Sequence, residues 1–119
     1  MLSRLVGTLR QKWRHLANLH DRMDRMEQAL GRIEARQTRD VLPGDLLSAE
    51  FKVSSQWGED GIIEHLVSHV PISNPFFVEF GVESYVEANT RFLLRNRNWS
   101  GLVLDGSEAH IARIQQDAI

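Results

Sequence analysis

The fold is decided by Pro75-Phe76-Phe77-Val78-Glu79-Phe80-Gly81 and, one helix-length later, Trp99-Ser100-Gly101-Leu102-Val103-Leu104-Asp105-Gly106-Ser107. Each stretch holds a short run of aromatic, β-branched and aliphatic residues, bounded by turn formers. That pattern reads as a buried strand. Between them, from about Val86 to Asn98, the apolar residues recur at helical spacing, and Glu87, Arg91 and Arg95 are four apart, as on an exposed helix face. Strand, helix, strand predicts a parallel pair with a right-handed crossover.

Upstream, Asp60 and Gly61 can start a helix, with Asp60 as its cap. Ile62, Ile63, Leu66, Val67 and Val70 then form the predicted buried face, and Pro71 ends it. Downstream, Glu108 to Ile119 begins another helix. The expected fold class is α/β: the first two parallel strands of an incomplete Rossmann-like sheet, preceded by a long coiled-coil-like helix. Parallel sheets need cover on both faces, and two strands with three helices make a thin core.

That leading helix is read from residues 1–38. Positions a (Leu2, Leu9, Leu16, Met23, Leu30) and d (Leu5, Lys12, Leu19, Met26, Ile33) are apolar in nine of ten cases. Such a narrow, sustained seam argues for a coiled coil and a homo-oligomer, with a helix folded back on its own domain and a basic attachment to a membrane surface as the alternatives. At about 1.5 Å per residue it would reach roughly 50 Å. Gly7 and Gly31 lie off the seam and each weaken the helix by about 1 kcal/mol relative to alanine. Residues 39–52, with Pro43-Gly44, read as a linker, and 53–119 as the partial domain.

Charge divides at the same boundary. Of 119 residues, 1–39 hold nine basic and four acidic side chains, while 40–119 hold five and twelve. The net charge of −2 therefore conceals +5 and −7. The basic start from Met1 to His20 has the composition of an organelle-targeting peptide, but the heptads run on past Asp21. The acidic domain opposes nucleic-acid binding. The absence of cysteine excludes disulfide scaffolds and cysteine-ligated metals. No apolar run approaches the roughly 20 residues of a membrane span, and cytoplasm is the default location.

In open α/β sheets, ligands bind beyond the carboxyl ends of the strands. Glu79 and Asp105 stand there, beside Gly81 and Gly106. A carboxylate can accept two hydrogen bonds from a ribose diol, and Gly81 would let the backbone approach a ligand. Spacing alone equally allows solvated strand ends or helix caps. Gly81-Val82-Glu83-Ser84-Tyr85 lacks the glycines of a phosphate loop, and Glu83 would repel a pyrophosphate. A cofactor without phosphates suits it better. His65 and His69, four apart, could hold a metal, but their context is not the zinc-protease pattern, and the flank of an amphipathic helix is the plainer reading.

Four blocks in order resemble the start of FkbM-type, S-adenosylmethionine-dependent methyltransferases: Ser55-Gln56-Trp57-Gly58-Glu59-Asp60-Gly61-Ile62-Ile63, Phe77-Val78-Glu79-Phe80-Gly81-Val82-Glu83, Asn89-Thr90-Arg91, and Trp99 to Ser107. The resemblance covers about residues 50–119. It implies that Glu79, Gly81 and the Glu83 position lie beside the methionine part of S-adenosylmethionine. It also implies that Asp105 and Gly106 hold the ribose, and that Gln56, Glu59 and Asp60 pack near the pocket. The family's first motif usually has a second glycine where this chain has Glu83. Its members continue through further strands that carry the acceptor side, a small molecule or sugar. The chain is therefore expected to be a truncated methyltransferase, inactive alone. Two other classes stand beside it: a non-catalytic coiled-coil interaction protein with a vestigial α/β segment, and a nucleotide-binding module of another kind.

Overall fold

The structure, a computed structural model, describes residues 2–117, with the side chains of residues 2–4 left aside. In chain order, α1 spans Leu2–Gln37 and is followed by single-turn 3-10 helices at Thr38–Asp40 and Leu47–Ala49. Then come α2 (Glu59–His69), β1 (Phe76–Phe80), α3 (Arg91–Arg97), β2 (Ser100–Leu104) and α4 (Glu108–Gln116). β1 and β2 form a parallel pair with Phe76 beside Ser100 and Phe80 beside Leu104. The predicted α/β order is present. The last helix ends at Gln116, and Ala118 and Ile119 lie outside the described residues.

One face of the sheet is covered. Phe77 packs there with Val82, Tyr85 and Ala88 from the following loop, and with Leu94, Trp99, Val103 and Ile114. The other face is bare: Phe76, Val78, Phe80, Leu102 and Leu104 are 41–77% exposed. The period of two along each strand produces this split.

α1 makes the molecule long. The radius of gyration is 17.8 Å, against about 13.5 Å for a compact chain of this length. Its C-terminal half docks on the domain through Gln28, Gly31, Ala35 and Thr38, all buried and spaced three or four apart. Ala35 meets Phe51 and Phe92, whose rings pack edge to face at 5.5 Å. Gly31 allows this approach, because a Cβ there would lie 2.3 Å from Val53 Cγ2 and 2.9 Å from Phe92 Cε2. At the rim, Arg95 donates to both carboxylate oxygens of Asp24 at 3.0 and 2.8 Å. The heptad seam faces elsewhere. From Leu5 to Ile33 its apolar residues remain 46–63% exposed, so α1 packs on its own domain through another face and leaves the seam uncovered. Ala49 and Phe51, at the end of the expected linker, are buried.

Five expectations need correction. The buried residues of α2 are Asp60, Gly61, Glu64 and His65, not its apolar stripe, and Leu66 and Val70 are exposed. Each polar side chain meets partners on one atom, His65 Nδ1 lying 3.2 Å from Thr38 O and Arg97 donating to Glu64 Oε1 at 2.8 Å, while Asp60 Oδ1, Glu64 Oε2 and His65 Nε2 are buried with no hydrogen-bond partner. His65 is thus interior rather than on a solvated flank. The N-cap of α2 is Gly58, and Asp60 sits within the first turn. α3 begins at Arg91 rather than Val86, so Glu87 precedes it. Arg91 and Arg95 do not form a free solvent face: Arg91 donates to Tyr85 O at 2.8 Å and lies 3.6 Å from Asp117, while Arg95 grips Asp24.

Candidate functional site at the strand ends

Glu79 and Asp105 end their strands and point into the loops that follow. Gly81 leaves β1 with φ +66, donates to Leu104 O at 2.8 Å and so ties the two strand ends together. Glu83 and Tyr85 also adopt positive φ, 49 and 59. Such a path is costly for residues bearing a Cβ and persists only when surrounding bonds hold it. Asp105 supplies one such bond, to Glu83 N, and Tyr85 is held by its N–H on Val82 O and by Arg91 on its carbonyl.

Asp105 Oδ2 accepts from Glu83 N at 2.8 Å, across the two loops. Its Oδ1 accepts from Ser107 N at 2.9 Å and lies 2.9 Å from His110 Nδ1. The Ser107 N–H, then the His110 imidazole, hold the Asp105 carboxyl below its ordinary pKa. Ser107 also caps α4, accepting from His110 N at 3.4 Å.

Glu79 does equivalent work at α3. Its Oε1 accepts from Asn89 N at 2.9 Å, and its Oε2 from Thr90 N at 3.0 Å and Thr90 Oγ1 at 2.5 Å. Thr90 Oγ1 lies 3.0 Å from the buried Tyr85 hydroxyl, and burial raises the Tyr85 pKa. The late start of α3 follows from this arrangement. Backbone donors that would otherwise sit inside a helix turn toward Glu79 instead.

The second group of predicted site residues does a different job. Asp60 Oδ2 accepts from Val53, Ser54 and Ser55 N, each at 2.7 Å, and from Ser55 Oγ at 2.8 Å. Ser55 Oγ in turn accepts from Asp60 N at 3.1 Å. Asp60 therefore folds residues 53–55 over α2. Glu59 accepts from Trp57 N at 2.9 Å and Gly58 N at 3.0 Å. Its own N–H, then that of Trp57, lower its pKa. Gln56 is exposed, and its carbonyl accepts from Lys52 Nζ at 2.8 Å. A bond from Ala88 N to Ser54 O, 2.9 Å, joins this segment to the loop after β1.

The structure thus brings Glu79, Gly81, Glu83, Asp105 and Gly106 together at one end of the sheet. Asp60 clasps residues 53–55, which join the loop after β1 through Ser54 and Ala88, and Gln56 is exposed outside that clasp. Sequence reasoning gave no role to His110 or to the Tyr85–Thr90 pair. The signal for His110 was present: it stands three residues after a capping serine.

A carboxylate has about four lone-pair positions. Asp105 and Glu79 each use three on the chain's own groups, so each keeps one for a ligand hydroxyl or amine. A Cβ placed on Gly81 or Gly106 would meet nothing within 4 Å, so the space beside both glycines is open, while the Asp105 side chain itself is 9% exposed. The one remaining position on Asp105 fits a single hydroxyl of a polyol such as a ribose, not both hydroxyls of a diol. A phosphate beside Glu83 and two further carboxylates does not fit.

Two other places were candidates. A cavity of about 790 Å³ lies between α1 and the domain, lined by His20, Asp24, Ser54, Ser84 and Arg91 among others, and none of the strand-end residues borders it. His65 and His69 stack at 4.3 Å, with His69 Nδ1 2.8 Å from His65 O. Among the described residues no three histidines, cysteines or acids gather as a metal site would require, and no helix is long and apolar enough to cross a membrane. No family model, curated protein or solved structure matches the chain.

Proposed function

We propose that residues 53–119 are the S-adenosylmethionine-binding part of an FkbM-like methyltransferase acting on a small molecule or sugar. We further propose that α1 joins copies of the chain in the cytoplasm. One observation carries the cofactor reading. Two acids at adjacent parallel strand ends are held rigid by backbone N–H groups, and each retains an acceptor position beside an open glycine. Asp105 would take a ribose hydroxyl, with His110 fixing the carboxylate plane. Glu79 and the Gly81–Glu83 turn would face the methionine end, where Glu83 can attract its ammonium. When bound, the cofactor supplies an electrophilic methyl group on a sulfonium. The chain contributes orientation, which carries much of the rate in such transfers.

Calorimetric titration with S-adenosylhomocysteine tests the reading. Binding by the wild type that disappears in Asp105→Ala, with the far-ultraviolet circular dichroism unchanged, supports it. A preference for NAD or ATP overturns it. The exposed seam of α1 favours a second reading, a non-catalytic coiled-coil interaction protein. A folded chain that binds no nucleoside would support that one.

A further inference from the structure

We infer that α1 pairs with α1 of a second copy as a parallel, in-register, two-stranded coiled coil, the domain of each copy riding on its outer side. The inference rests on the self-association reading and is independent of the cofactor reading.

The docking face and the seam are different faces of one helix. With Leu2 at a, the residues that meet the domain are Asp24, Gly31 and Thr38 at b, and Gln28 and Ala35 at f. Positions b and f point away from the partner in a coiled coil. The domain therefore packs on the side that a partner helix does not need, although Met23 at a and His20 and Glu27 at e border the cavity between α1 and the domain, and the a/d seam stays exposed over most of α1. A second α1 carries the same seam at the same spacing, which suits it as the occupant.

Charge sets the direction. In a parallel pair the g residue of one heptad faces the e residue of the partner's next heptad. Arg22 is at g and Glu27 at the following e, so two symmetric Arg22–Glu27 pairs form. In an antiparallel pair with the seams overlapped, g faces g and e faces e. Arg22 then meets His15 and Glu27 meets Val6, with no attraction in either. The e and g flanks are mostly polar, with His15, His20, Arg22, Glu27, Glu34 and Arg36 against Val6, Trp13 and Ala29, and the polar majority favours two strands over three, where those flanks would be more buried.

Lys12 sets the register. In register, the two Lys12 stems share a single d layer, and their ammonium groups extend to solvent. A shift by one heptad would place each lysine against Leu5 or Leu19 and spoil two apolar layers instead of one. One polar seam position fixes register at a cost in stability.

The chain has no cysteine, so single-cysteine variants report geometry directly. Light scattering on the full chain should give twice the monomer mass. Leu5→Cys and Leu30→Cys, oxidised separately, should each yield a covalent dimer. Crosslinking only when the two variants are mixed would show antiparallel helices and overturn the proposal. A trimer mass would overturn it, and a monomer mass would remove the self-association on which it rests. Glu27→Arg should weaken the dimer about tenfold through like-charge pairs, and Arg22→Glu in the same chain should restore it. A Glu27→Arg dimer as tight as the wild type would remove the charge argument.

Discussion

The molecule has two interiors built on different chemistry. Beneath the sheet, Phe77, Val82, Tyr85 and Ala88 pack with Leu94, Trp99, Val103 and Ile114 in a mainly apolar cluster. Between α1, residues 49–55 and α2, the interior mixes Ala35, Phe51 and Phe92 with Gln28, Thr38, Ser54, Ser55, Asp60, Glu64 and His65. Apolar contact is non-directional, so the first interior should accept changes of shape that preserve volume. Hydrogen bonds are directional, and an orphaned buried donor costs far more than a satisfied one contributes. The second interior should therefore fail when single atoms are lost.

Asp60 is the sharpest test of that difference. Its Oδ2 serves three backbone N–H groups and one hydroxyl at 2% exposure. Asp60→Ala orphans all four, and at about 1–3 kcal/mol for each unsatisfied group the loss should reach about 4 kcal/mol or more even without additivity. The urea midpoint measures it. Phe77→Leu, in the other interior, should cost no more than about 2 kcal/mol. Equal costs would break the contrast between the interiors.

The polar interior is also what the sequence concealed. Strands at 76–80 and 100–104 and the helices around them are legible, because period and turn residues are local signals. The buried face of α2 is not. Ile62, Ile63, Leu66, Val67 and Val70 look like a core stripe, yet the helix buries Asp60, which binds residues 53–55, and Glu64 and His65, whose partners Arg97 and Thr38 lie some thirty positions away. Long-range partners leave no periodicity. The same holds at the candidate site. Glu79 and Asp105 were visible as acids at strand ends, but the delayed start of α3 depends on Glu79 reaching Asn89 and Thr90, which no local preference announces.

Gly31 lies where the arm meets the polar interior and probes how tightly they fit. Gly31→Val would thrust a branched side chain at Val53 and Phe92. The strain should cost about 1–3 kcal/mol, offset by at most about 1 kcal/mol of improved helix propensity. Gly7, with nothing within 4 Å of its Cβ position, is the control: Gly7→Ala should stabilise the chain. A Gly31→Val protein as stable as the wild type would show that α1 does not dock there.

A smaller effect distinguishes the strand ends from both interiors. The Asp105 carboxyl is held below its usual pKa in the folded chain, first by Ser107 N–H and then by His110. A depressed folded pKa means that its stabilisation is fully present above about pH 4, the unfolded carboxyl range, and fades as pH falls toward the folded value. Thermal midpoints followed from pH 6 to pH 2.5 should decline, and Asp105→Asn should decline less steeply. Parallel curves for the two proteins would mean that the Ser107 and His110 bonds do not favour the charged form.

The smallest expected effect lies at the rim of the polar interior, where directional bonds persist but burial does not. Arg95 grips both oxygens of Asp24, and that hydrogen bonding, opposed by slight burial, lowers the Asp24 pKa and raises that of Arg95. The two side chains are 27% and 41% exposed, so water competes for each bond and salt screens the charges. Asp24→Asn should therefore cost less than about 1 kcal/mol, against several for Asp60→Ala, although Asp24 also makes two bonds to a single partner of ideal shape. Raising the salt concentration should shrink the Asp24 effect and leave the Asp60 effect unchanged. If Asp24→Asn cost as much as Asp60→Ala in high salt, then geometry rather than burial would decide which polar contacts hold this arm to its domain.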